Sequence, residues 1–204
     1  MKTSDIAVIL VGYQNDYFAE DGILRGAIEE SSRTNNVLAN TISLLDQLVD
    51  SDALLIQTPI IFTENYAELE EPVGILKTIV DVQAFKAGTP GSEVITEFQG
   101  YGDRIVTVEG KRGLNAFSNT GLERLLVDRG IKEVVLAGAV TSICIDSTGR
   151  AAHERGYKVT ILSDCTAGRT NFEQTFYCEN IFPLYANVST AKALTGGLGA
   201  ASAG

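Results

Sequence analysis

Histidine, cysteine and positive charge are the scarce ingredients of this chain. Its 204 residues include one histidine, His153, three cysteines, Cys144, Cys165 and Cys178, and no tryptophan. No pair of these has the C-x-x-C or H-x-x-x-H spacing of a zinc site, so no metal held by His and Cys is expected. An odd, small cysteine count argues against a disulfide framework and reads as reduced thiols in the cytoplasm. With one histidine, hydrolytic chemistry must find its base elsewhere. Lys and Arg number 16 against 26 Asp and Glu, a formal net charge of −10 with no basic stripe to offset it. That balance excludes nucleic acid and an anionic membrane as partners. No apolar run reaches the roughly 18 residues of a membrane span. The segment from Met1 to Asp5 leads straight into an apolar run, without the pattern of a signal peptide.

What is present is a globular composition, 45% hydrophobic and 21% charged. Apolar runs recur at 6–11 (IAVILV), 53–58 (ALLIQT), 104–108 (RIVTV), 134–138 (VVLAG) and 158–162 (KVTIL), with a shorter one at 186–189 (ANVS). They are continuous rather than alternating, as strands buried on both faces require. Between them lie segments of helical spacing. Leu38, Ile42, Leu45 and Val49 mark one face of a helix ending near Asp50. Leu122, Leu125 and Leu126 mark another, closed by Gly130. Helices are also expected at 75–82, 92–98, 141–155 and 171–185, the last interrupted at Pro183. Strand–helix alternation of this kind predicts a three-layer α/β/α fold with six strands in a mainly parallel sheet and helices on both faces. One domain over 1–195 and a flexible, glycine-rich tail over 196–204 are expected.

In open α/β sheets, ligands sit beyond the carboxyl ends of the strands. Cys144 falls there, in the first turn of the helix after the fourth strand, where unpaired amides and the helix dipole favour an anion. A thiolate is a strong nucleophile, and the amides of Val140 and Cys144 are candidates to hold a developing oxyanion. The competing reading is a buried structural thiol. His153 is nine residues further on, which places it on the opposite helix face and roughly 13 Å along the axis. Lys111, in a glycine-flanked loop, would stabilise a thiolate if brought beside it; otherwise it is a solvated loop charge. Cys165 and Cys178 read as structural. Tyr13, Tyr17, Phe18, Phe62, Tyr66 and Phe85 either line an apolar pocket or pack the core.

Four segments carry a resemblance: 9–18 (ILVGYQNDYF), 84–94 (AFKAGTPGSEV), 111–117 (KRGLNAF) and 138–164 (GAVTSICIDSTGRAAHERGYKVTILSD). In order, they resemble a hydrophobic run followed by Asp-x-Gln-Asn-Asp-Phe, then F-x-x-G-T-x-G-x-E, then K-x-x-x-S-A-F, then G-x-x-T-x-x-C with a small-residue helix and G-Y-x-V-x-x-x-x-D. These are the motifs of the isochorismatase-like cysteine hydrolase family, which includes nicotinamidases and N-carbamoyl-amide hydrolases. The resemblance implies a sheet ordered 3-2-1-4-5-6 and an Asp–Lys–Cys triad with no cofactor. The cysteine would be Cys144 and the lysine Lys111. The oxyanion hole would be the amides of Val140 and Cys144, beside a non-proline cis peptide near Ala139–Val140. Thr141, Gln14 and Phe18 would stand close to the substrate.

One position departs from the pattern. With Gln14, Asn15 and Asp16 in register, the triad aspartate falls on Gly12. In the family that carboxylate takes the thiol proton and returns one to the leaving group, which glycine cannot do. Three readings stay open: an engineered variant of an enzyme, a natural member that binds without turnover, or another acid such as Asp16 in its place. Residues 58–65 (TPIIFTEN) contain no histidine, which argues against the metal site of the nicotinamidase subset. True isochorismatases lose the cysteine and keep the aspartate; this chain does the reverse. The resemblance therefore implies C–N bond hydrolysis on a small amide or carbamoyl compound, weakened by Gly12, in a cytoplasmic homo-oligomer.

Overall fold

The computed structural model describes residues 2–202, with side chains through Leu198. Six strands form its centre: β1 (Ile6–Val11), β2 (Leu54–Thr58), β3 (Ile105–Thr107), β4 (Glu133–Ala139), β5 (Lys158–Ala167) and β6 (Asn187–Ser189). They pair in the order β3-β2-β1-β4-β5-β6, and every pairing is parallel. β1 shows why its run is continuously apolar. Ala7, Ile9 and Val11 enter one hydrophobic layer, while Ile6, Val8 and Leu10 enter the other. Successive side chains of a strand point to opposite faces, so a strand covered on both sides needs apolar residues at every position.

The covering helices are α1 (Asn15–Phe18), α2 (Glu29–Thr34), α3 (Val37–Leu48), α4 (Gly74–Val82), α5 (Leu122–Asp128), α6 (Asp146–Glu154), α7 (Asn171–Phe176) and α8 (Ala191–Ser202). Leu122 and Leu126 of α5 and Ala151 and Ala152 of α6 pack in the layer with Val11. Leu44, Leu45 and Leu48 of α3 and Leu194 and Leu198 of α8 pack in the layer with Leu10. The chain runs outward from β1 through β2 to β3, then returns to lay β4 on the other side of β1. The crevice beyond the carboxyl ends of β1 and β4 is thus the topological switch point, where such sheets bind ligands. Among the described residues, no helix is long and apolar enough to cross a membrane.

Several expectations change. β5 continues past Leu162 to Ala167, because Thr166 and Ala167 pair with Gly138 and Ala139 although the sequence there has turned polar. Residues 92–98 are not one helix. A 3₁₀ turn (Pro90–Ser92) gives way to Val94, which bridges Gln14 in antiparallel fashion, and a second 3₁₀ stretch covers Thr96–Arg104. The segment expected as one helix over 171–185 is helical but changes type: α over Asn171–Phe176, π over Tyr177–Ile181 and 3₁₀ over Phe182–Leu184, which contains Pro183. The tail expected to be flexible from Gly196 is helical to Ser202, and Leu198 is buried. Ala203 and Gly204 lie outside the described residues.

Gly138 sets the approach of β4 to β1. Its φ is +125°, and a Cβ there would lie 1.9 Å from the Val11 carbonyl oxygen. Gly138→Ala is expected to lower stability by about 3 kcal/mol or more, through backbone strain and displacement of the central strand pair. Urea unfolding checks this, and a loss of less than about 0.5 kcal/mol, the range of neutral surface changes, would contradict it.

Candidate active site

β4 delivers the chain to the crevice. The Ala139–Val140 peptide at its end is cis, and a π turn (Thr141–Ile145) runs directly into α6. The Val140 carbonyl accepts from the amides of Ile143 at 3.1 Å and Ile145 at 3.2 Å, which coils the loop tightly around its own first residue. Cys144 sits in that turn with 4% of its surface exposed. The loop is also held from outside. Thr141 Oγ1 donates to Gln174 Oε1 at 2.5 Å, and Ser142 Oγ donates to Glu173 Oε1 at 2.6 Å. Gln174 Nε2 in turn donates to the Ser163 carbonyl and Thr166 Oγ1 of β5. Arg169 Nε donates to Glu173 Oε2 at 2.6 Å.

Glu173 and Gln174 were not anticipated as part of the site. The one local signal is Thr170-x-x-Glu173, the spacing of a capping box: Thr170 Oγ1 accepts from the Glu173 amide at 3.1 Å. The Glu173 carboxylate then turns to Arg169 and Ser142, which local spacing does not reveal.

Lys111 reaches the thiol from the other side. Its backbone bridges Ile60 beyond the end of β2, and the Ala116 amide donates to Thr148 Oγ1 of α6 at 3.1 Å, tying the Lys111 loop to the cysteine's helix. The side chain is fully buried. Nζ donates to the Gly113 carbonyl at 2.5 Å and meets Cys144 Sγ at 3.5 Å. Burial holds the Lys111 amine below the usual lysine range, and the neighbouring Cys144 partly opposes that shift. Lys111 is therefore no solvated loop charge.

Gly12 stands at the same crevice. A Cβ at this position would lie 3.1 Å from the Ala139 carbonyl oxygen and 3.6 Å from the Tyr17 ring. Its φ of +72° is one that glycine adopts freely. Asp16 does not replace the missing carboxylate. Its Oδ2 accepts from the Phe85 amide at 2.5 Å, and Gly91 packs so closely that a Cβ there would lie 2.0 Å from Oδ1. Asp16 braces the 84–92 segment. Gln14 needs the same correction. Its Nε2 donates to the carbonyls of Ile60 at 2.8 Å and Ser92 at 2.7 Å, and its Oε1 accepts from the Ile60 amide at 2.7 Å. An amide so occupied, and fully buried, joins three loops and has little left for a substrate.

Tyr13, Tyr17, Phe62, Tyr66 and Phe85 are buried packing residues. Phe18 stacks on Tyr13 with ring centroids 4.8 Å apart. With Tyr17 it also lines a cavity of about 360 Å³ walled by Arg25, Glu29, Leu38 and Ile42. His153 lies beside Tyr185 on α6, with ring centroids 6.2 Å apart. Among the described residues, no group of three or more His, Cys, Asp or Glu side chains is placed to hold a metal ion.

A buried thiol touches a buried amine at the switch point of a parallel α/β sheet. Residues 6–193 match the isochorismatase domain family, and the chain belongs to that isochorismatase-like hydrolase family. It is 28% identical over 137 residues to nicotinamidase 3 of Arabidopsis thaliana, which covers 67% of each protein. It is 28% identical over 179 residues to the ureidoacrylate amidohydrolase RutB of Agrobacterium fabrum, covering 81% of this chain and 77% of that one. A cysteine hydrolase from Pseudomonas syringae pv. phaseolicola superposes with a TM-score of 0.85 at 21% identity, over 98% of this chain and 95% of that one. This last likeness concerns the fold.

The other two thiols differ from Cys144 in setting. Burial pushes Cys165 up to about 12, with Asp164 adding to the shift, and burial pushes Cys178 up to about 11, with Glu179 adding. Iodoacetamide at pH 8 is therefore expected to modify Cys144 first and leave Cys165 and Cys178 almost untouched. Peptide mass mapping of the alkylated protein checks the order, and labelling that begins at Cys178 would contradict it.

Proposed function

We propose that this chain hydrolyses the C–N bond of a small amide or carbamoyl compound through a thioester on Cys144. The observation that carries this reading is the 3.5 Å contact between Lys111 Nζ and Cys144 Sγ beside the Ala139–Val140 turn. A thiolate formed there attacks the carbonyl carbon. The amides of Val140 and Cys144 are candidates to receive the oxyanion, and Thr141 fixes the loop that carries them. The nicotinamidase and ureidoacrylate amidohydrolase names of two relatives support an amide or ureido substrate. Water then releases the acyl group.

Gly12 makes this a weakened enzyme. General acid–base help is typically worth about 10²–10⁴-fold, and no carboxylate stands at position 12 to provide it. The same glycine favours a second reading, a small-molecule-binding member without turnover. Its positive φ supports glycine as the residue this backbone suits.

Gly12→Asp separates the two readings. Aspartate is among the non-glycine residues that best tolerate the left-handed region. The substitution is expected to raise kcat/KM on a panel of small amides and ureido compounds by about 10²-fold or more. Gly12→Ala meets the same Ala139 oxygen without adding a carboxylate, and it is expected to stay at or below the starting rate. Cys144→Ser is expected to abolish release in every background. If no compound releases ammonia or amine from either form while one still binds, the protein is a binding member.

A further inference from the structure

We propose that Lys111 itself carries the proton in this site, acting as base toward the Cys144 thiol and then as acid toward the leaving nitrogen. The inference rests on Cys144 being the nucleophile, as proposed above, and not on which amide is cleaved.

The argument is one of charge balance in a closed space. Lys111 is fully buried, and its amine has two polar partners, the Gly113 carbonyl and Cys144 Sγ. Among the described residues, no carboxylate pairs with it. Position 12 offers none, and Asp16 is engaged with Phe85 and Gly91. An ammonium sealed away from water without a counter-anion is strongly disfavoured. Two arrangements remain, a neutral amine beside a thiol and an ammonium beside a thiolate. They differ only by one proton moved across the 3.5 Å contact, and both are neutral overall.

Tyr17, whose ring lies beside position 12, does not compete for this role. Burial first, and the charges of Cys144 and Asp16 next, hold its phenol well above the ordinary tyrosine range, so it stays protonated. The lowered basicity of Lys111 points the same way: a buried amine that gives up its proton readily can both take one and return it.

The steps balance on this pair. The thiol proton passes to Lys111 Nζ. The thiolate forms a C–S bond to the amide carbon, and the carbonyl electron pair moves to oxygen. As that pair returns, the C–N bond breaks, and the departing nitrogen takes the proton from the Lys111 ammonium. A water molecule next gives its proton to the neutral amine and attacks the thioester. The C–S bond breaks, leaving thiolate and acid, and the ammonium returns its proton to sulfur. The net change is amide plus water to acid plus amine, with no oxidant or further reactant.

The test reads thiol reactivity and so does not depend on knowing the substrate. Lys111→Ala is expected to slow alkylation of Cys144 by iodoacetamide at neutral pH by about a hundred- to ten-thousandfold, the effect of losing a positioned proton acceptor. Added methylamine, which enters the vacated space and accepts a proton, is expected to restore much of the rate. Guanidinium, which supplies the same charge but accepts no proton, is expected to restore none. Lys111→Met keeps the side-chain volume, and apolar replacement of a buried ion is often tolerated by the fold. It is expected to show the same loss with no rescue. An unchanged rate in Lys111→Met, or rescue of Lys111→Ala by guanidinium as strong as by methylamine, or by neither, would overturn the assignment. Failure to hydrolyse any amide, with methylamine rescue intact, would instead count against the hydrolytic reading alone.

Discussion

The structure turns on one contact, an amine against a sulfur in a space closed to water. Lys111 and Cys144 are 33 residues apart in sequence and come from opposite sides of the switch point between β1 and β4. Stability does not explain Lys111. Removing an ammonium from water is costly, and apolar residues of similar size often serve a fold as well or better. Its burial suits the proton-carrying role proposed for it. In a site of low dielectric, a nucleophile and its proton partner are coupled far more strongly than they would be in water.

The rest of the molecule can be read as support for that contact. A parallel sheet buried on both faces ends its two central strands at one crevice, so residues 12 and 139–144 meet without further design. Gln14 and Asp16 then bind the loops after β2 and before β3 to the loop after β1. α7 holds the Cys144 loop through Thr141 and Ser142. Gln14, Asp16 and Thr141 are buried and Ser142 half-buried, and each has a backbone or side-chain partner for its polar atoms. Positioning of this kind is what a reacting pair needs from its surroundings.

Much of this was legible in the sequence, and the failures are instructive. The strand cores, the sheet order and the meeting of Lys111 with Cys144 followed from continuous apolar runs and from four motifs read in order. The carboxyl half of β5 escaped because Ser163, Asp164 and Thr166 carry no apolar signal; the backbone pairs there regardless. The helix expected over 92–98 failed because Val94 found a bridge to Gln14, a tertiary contact that outweighs a short local preference. The family motif places Gln14 near substrate; its three backbone partners come from loops whose course no local pattern fixes. Glu173 and Gln174 were missed for the same reason. The glycines of 196–204 predict a flexible tail, but α8 carries on to Ser202, with Leu194 and Leu198 one helical turn apart and buried against α3.

Cys144 is proposed to form a covalent acyl bond with the help of a single buried amine. Rapid acid quench and intact-mass spectrometry of the protein mixed with small amides and ureido compounds tests it most directly. The expected result is a thioester adduct that maps to Cys144, forms in the unsubstituted chain and is lost in Lys111→Met. An adduct on any other residue, or one that forms equally well without the lysine, would contradict it.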